Sequence, residues 1–121
     1  MLTRLALICL TAMFAALPAR AAELVMVEEI GCIYCAQWDA EIAEIYPKTP
    51  EGQTAPLVRV MQKSAELKAY TLARPVVYTP TFLLVEDNTE LARIEGYPGE
   101  DFFWGLLEMF LTRHVGFEAA S

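Results

Sequence analysis

Glu23-Leu24-Val25-Met26-Val27-Glu28-Glu29-Ile30-Gly31-Cys32-Ile33-Tyr34-Cys35-Ala36-Gln37-Trp38 changes period in its middle, and a cysteine pair sits at the change. Glu23 to Glu29 is a short β-rich run, and Gly31 ends it. From Cys35 onward the apolar residues Cys35, Trp38, Ile42, Ile45 and Tyr46 recur at helical spacing, with Gln37, Asp39, Glu41 and Glu44 between them. The segment therefore reads as strand, cysteine pair, helix, and Pro47 is expected to stop that helix.

The rest of the chain extends this reading. Pro47 to Pro56 carries three prolines, a glycine and two threonines and reads as a loop. Leu57-Val58-Arg59-Val60-Met61 alternates as a second strand would, and Ser64 caps a short helix over Ser64–Tyr70. Thr81-Phe82-Leu83-Leu84-Val85 reads as a buried strand, and Asp87-Asn88-Thr89 turns it into a return strand, Glu90–Glu95. After Pro98-Gly99, Glu100 and Asp101 open a last helix where the dipole favours acids. Its expected apolar stripe is Phe102, Phe103, Leu106, Leu107, Phe110 and Leu111; Trp104 falls off it, and Arg113 and His114 complement its basic end. A helix crossing between the first two strands makes them parallel, while the hairpin is antiparallel. The expected fold is α/β: one mixed sheet of about four strands flanked by helices, without repeats or linker.

The chain has 121 residues, which suits one domain. It is 55% hydrophobic and 11% aromatic, enough to bury a core, so disorder is excluded. Its net charge of −7 repels phosphates, so nucleic acid is excluded as a partner. Part of the hydrophobicity is a leader. Arg4 precedes a run from Leu5 to Leu17 that is apolar apart from Thr11, and Ala19-Arg20-Ala21 is a cleavage pattern. Thirteen residues fall short of the roughly 20 needed to span a bilayer as a helix. Residues 1–21 are thus expected to be a cleaved secretory signal peptide, leaving 22–121 as the domain in the periplasm. Cleavage removes two of nine basic residues and no acid, taking the charge from −7 to −9.

Cleavage also removes Cys9 and leaves Cys32 and Cys35. A bridge across two intervening residues closes a loop too short to staple a fold, so the pair points to chemistry. At a helix start, free N–H groups and the dipole favour a thiolate, which makes Cys32 the expected nucleophile. Cys35, one turn further on the apolar face, is the expected resolving thiol. Two alternatives stand beside this reading. A lone C-x-x-C is half of many zinc sites, but His114 is the single histidine left to complete one. A purely structural bridge is the other.

With the cysteine pair between strand and helix, Thr79-Pro80-Thr81-Phe82 before the hairpin and an amphipathic C-terminal helix, the chain resembles the thioredoxin superfamily. The resemblance implies a redox-active Cys32–Cys35 pair and a cis Pro80 facing it, which exposes the preceding edge and keeps metal from the cysteines. It also implies that the Thr79 backbone pairs with a bound substrate chain. Two departures from ordinary thioredoxin stand out. Gly31-Cys32-Ile33-Tyr34-Cys35 replaces Trp-Cys-Gly-Pro-Cys, and Met26 occupies the place of an acid carried six residues before the first cysteine. Tyr34 before the second cysteine resembles glutaredoxins and periplasmic disulfide isomerases; client contact and packing both remain open for it. Glu28 and Glu29 are alternative proton acceptors for Cys35 or solvated strand-end carboxylates.

Glu29–Trp38, Tyr78–Phe82 and Glu95–Gly99 look most like the small periplasmic thioredoxins of the SoxS type, encoded with bacterial sulfur-oxidation systems. That subgroup implies a thiol–disulfide oxidoreductase that needs no cofactor. It would reduce a client protein with a disulfide or oxidised cysteine, the sulfur-carrier protein being suspected. A membrane thiol-reductant donor would then recharge it. A disulfide oxidase or isomerase and a non-enzymatic metal-binding module are the alternatives, because potentials across this fold span about 150 mV.

Overall fold

The computed structural model describes residues 21–119. The expected signal peptide, residues 1–21, lies outside them but for its last residue. Strand β1 (Ala22–Glu28) runs in the middle of a four-stranded sheet of order β2-β1-β3-β4. β1 pairs in parallel with β2 (Leu57–Met61) and antiparallel with β3 (Thr81–Glu86), which pairs antiparallel with β4 (Thr89–Glu95). The mixed sheet is as the crossover and the hairpin require. Asp87 and Asn88, both at positive φ, make the two-residue hairpin turn whose twist matches paired strands.

Neighbours cover β1 on both faces, so its side chains alternate between two cores instead of between core and water. Leu24 and Met26 join Trp38, Phe82, Leu84, Phe103, Leu107 and Leu111 on one face; Val25 and Val27 join Val60, Leu67, Leu83 and Val85 on the other. The first face is covered by α1 (Ile33–Trp38) and α4 (Glu100–Val115). The second is closed by α3 (Ala65–Lys68), whose first turn Ser64 caps by accepting the Leu67 N–H.

Three local expectations are corrected. The helix after the cysteines begins at Ile33, and at Asp39 it widens into a π turn, Asp39–Ala43. The wider turn sets the buried spacing to Trp38, Ile42 and Tyr46 and leaves Ile45 53% exposed. The stretch Pro47–Pro56 is not all loop: a 3₁₀ turn (Tyr46–Lys48) leads into α2 (Pro50–Thr54), with the Thr49 hydroxyl accepting the Gly52 N–H. In α4 the phase differs from expectation. Phe103, Leu107 and Leu111 are buried, whereas Phe102 is 71% exposed and Trp104 packs against the core.

Candidate active site

The C-terminal end of β1 delivers the chain into a turn in which the Cys32 N–H donates to the Glu29 carbonyl, 3.2 Å. Gly31, at φ +81, takes a backbone conformation that a side chain would strain, and so turns Cys32 onto the start of α1. Cys32 is the N-cap of that helix, and its Sγ accepts the Cys35 N–H at 3.1 Å. A donor aimed at this sulfur favours its ionised form. The two sulfurs are joined as a disulfide, S–S 2.13 Å, with Cα atoms 5.2 Å apart. Their surroundings differ. Cys32 is half-buried, whereas Cys35 is 4% exposed and packs in the core with Trp38.

Thr79 and Pro80 lie just before β3. Because β3 runs antiparallel to β1, with Thr81 opposite Val27, the segment enters the sheet at the end where β1 leaves for the cysteines. The Thr79–Pro80 peptide bond is cis. Pro80 is buried and its carbonyl accepts the Gly96 N–H at 2.7 Å; Thr79 is half-buried, and the Thr81 hydroxyl donates to the Tyr78 carbonyl. Apolar side chains stand in water on both segments. Ile30, Ile33 and Tyr34 flank the cysteines, and Val77 and Tyr78 precede Thr79. Tyr34, for which packing and contact were both open, projects 59% exposed.

Beside the pair lies a shallow cavity of about 380 Å³, lined by Glu28, Glu29, Gly31, Cys32, Cys35 and Asp39 among others. Met26, six residues before Cys32, is fully buried and offers no carboxylate. Charge gathers at the rim instead. Arg59 of β2, opposite Met26 in the ladder, donates to both oxygens of Glu28 (3.1 and 3.3 Å) and to Oδ1 of Asp39. These carboxylates hold the Arg59 guanidinium even more firmly protonated than usual, the Asp39 bond contributing most. Glu28 is thus an ion-paired strand-end carboxylate, and Glu29 is exposed.

Arg59 and Asp39 were not singled out from the sequence. The signal was an arginine between two valines in a strand, with an acid four residues beyond Cys35 on the helix. Tyr97 was also passed over: its hydroxyl donates to Glu41 on the π turn, tying the Glu95–Gly99 loop to the helix that carries the cysteines. Glu41 is held below the ordinary carboxylate range by that bond first and by the Gln37 amide second.

No protein-family profile matches the chain, and no curated protein does. Solved structures do. The periplasmic thioredoxin SoxS from Paracoccus pantotrophus, crystallised in its reduced form, is 49% identical; the match covers 76% of this chain and 97% of that one, with a TM-score of 0.73. Thioredoxin f2 of Chlamydomonas reinhardtii, 15% identical over 82% of this chain and 83% of that one, has a TM-score of 0.55 and shares the fold.

Proposed function

The chain belongs to the thioredoxin superfamily and is a thiol–disulfide oxidoreductase, and on that premise we propose that it reduces client protein disulfides in the periplasm. Cys32 is the nucleophile. Its thiolate attacks one sulfur of a client disulfide, a mixed disulfide forms, and the other client sulfur leaves as a thiolate. Cys35 then attacks Sγ of Cys32, closing the Cys32–Cys35 disulfide and releasing the second client thiolate. Two electrons pass to the client, and a membrane thiol-reductant donor returns them to the pair.

Unequal exposure of the two bonded cysteines carries this reading. A client sulfur can reach Cys32, which is half-buried and accepts a backbone N–H, but not Cys35, which is 4% exposed. Ile33, Tyr34 and Tyr78 offer apolar contact around the point of attack, and the half-buried Thr79 before the cis Pro80 offers backbone for the client chain to pair with. The periplasmic location rests on the leader-like N-terminus and on the likeness to a periplasmic thioredoxin; the sulfur-carrier protein as client rests on the SoxS likeness.

Trapping in the periplasm tests the assignment. Cys35→Ser should accumulate mixed disulfides through Cys32, whereas Cys32→Ser should accumulate few. A sulfur-carrier subunit among the captured proteins supports the SoxS-type role, and a broad set of secreted proteins supports isomerase or oxidase work instead. Equal trapping by both variants would sink the choice of Cys32 as nucleophile.

A further inference from the structure

Resolution of the mixed disulfide needs a proton acceptor. Cys35 must give up its thiol proton to attack, and apolar surroundings disfavour the ionised form of a thiol. Cys35 is 4% exposed, and Met26, buried in the same core cluster, takes no proton. The titratable groups around it are few. Glu28 at the end of β1, Glu29 in the turn and Asp39 on the helix share its cavity, and Arg59 reaches in from β2; Tyr34 on α1 and Tyr78 before β3 are exposed.

Three observations separate Asp39 from the two glutamates. Its N–H donates to the Cys35 carbonyl, so it stands one helical turn beyond Cys35 on the same face, where Cβ atoms are about 5–6 Å apart. Arg59 bonds both oxygens of Glu28 but only Oδ1 of Asp39, so Oδ2 is left to take a proton. Asp39 also begins the π turn, and its side chain is 42% exposed, so a proton taken from the buried thiol passes on to water. Glu29 is exposed and has no such anchor.

We propose that Asp39 accepts the Cys35 proton as Cys35 attacks the mixed disulfide, with Arg59 as the positioning residue that holds it in place. The proposal rests on the reading of Cys32 as nucleophile. In the step, the Cys35 sulfur bonds to Sγ of Cys32, the bond from Cys32 to the client sulfur breaks, and that sulfur leaves with the electron pair as a thiolate. The proton moves to the Asp39 carboxylate and thence to solvent.

The step can be watched alone. Reduced protein is loaded on Cys32 with the chromophoric aryl thiol of Ellman's reagent at low pH, the pH is raised, and release of the coloured thiolate is timed. Asp39→Asn should release it about 10²-fold more slowly than the parent at pH 7, the scale of general-base catalysis. Asp39→Glu should recover most of the rate. The two curves should meet near pH 10, where hydroxide removes the thiol proton directly. A merely structural defect would persist at every pH. Equal rates at pH 7, or a deficit unchanged up to pH 10, overturns the proposal. Label found on Cys35 by peptide mass analysis overturns the nucleophile assignment and this proposal with it, and is told apart from the other failures by that position.

Discussion

The guanidinium of Arg59 lies over the indole of Trp38, 5.6 Å from the ring centroid. Trp38 is completely buried, its Nε1 has no hydrogen-bond partner among the described residues, and Tyr46, Phe82 and Phe103 meet its ring at 6.1, 5.3 and 5.8 Å. Packing alone therefore fixes the indole, and Arg59 closes its remaining face. Because the same cation binds Glu28 and Asp39, one side chain from β2 ties the end of β1 to the helix that carries Cys35.

Arg59→Met should cost little stability. The methionine keeps an apolar stem over Trp38, and the lost charge is partly solvated, since the arginine side chain is 36% exposed. About 1 kcal/mol is expected at low salt, less at high salt. Trp38→Ala, which empties the core, should cost about 3–5 kcal/mol. Urea unfolding at two ionic strengths separates these; an Arg59→Met loss that ignores salt would show that the charge is not screened.

A second arginine is more consequential. Arg93 on β4 pairs with Glu90, their side chains 4% and 3% exposed, and donates to the carbonyls of Arg74 (2.7 Å) and Pro75 (3.3 Å). Glu90 in turn accepts the Ala73 N–H at 3.0 Å. The pair thus fastens residues 73–75, from which the chain runs on to Thr79 and Pro80. Arg93→Met leaves a buried carboxylate unpaired and should cost about 3–5 kcal/mol. Replacing Glu90 with methionine as well should recover part of that loss. A double-mutant cycle in denaturant checks it, and a strictly additive double variant would contradict the coupling.

The bond from Tyr97 to Glu41 makes a pH-dependent contribution. Glu41 titrates below its ordinary 4.5 in the folded chain, chiefly because the Tyr97 hydroxyl donates to the carboxylate. A depressed carboxylate stabilises the fold above its unfolded value, and the contribution disappears as pH falls through the folded value. Tyr97→Phe should therefore be less stable than the parent at pH 7, and the gap should narrow below about pH 4. Thermal melts from pH 7 to pH 3 read this directly; a gap that stays constant would assign the loss to packing.

Much of the site was readable because the residues concerned obey local rules. Cys32 and Cys35 sit where a short β-rich run gives way to helical spacing, and the turn residues Asp87 and Asn88 separate two β-rich runs. What escaped depends on contacts distant in sequence. Asp39 looks like any solvated helix carboxylate until β2 brings Arg59 to it, 20 residues later in the chain. The π turn has no mark of its own among ordinary helix residues, so Ile45 was placed inward with Tyr46. Thr49-Pro50 did carry a helix-start signal, a capping hydroxyl followed by proline at the first position, but the neighbouring prolines read as loop.

The phase of α4 gives the sharpest contrast. Phe102 and Trp104 differ by two residues, so one helix face cannot bury both. The density of apolar residues suggested Phe102, but Trp104 has the partner: its ring stacks on Tyr46, 5.9 Å between centroids with planes 13° apart, and meets Phe103 edge-on at 5.3 Å. Tyr46 is in turn fixed by its hydroxyl, which donates to the Ala55 carbonyl at 2.6 Å, so the surface offered to Trp104 is rigid. Trp104→Ala should lose this stacking and cost about 2 kcal/mol, below the range for a fully buried tryptophan. Phe102→Ala, at a site 71% exposed, should change stability by no more than about 0.5 kcal/mol. Paired chemical denaturation of the two variants decides between the two phases; if Phe102→Ala were the costlier, the helix would be rotated from the position that stacks Trp104 on Tyr46.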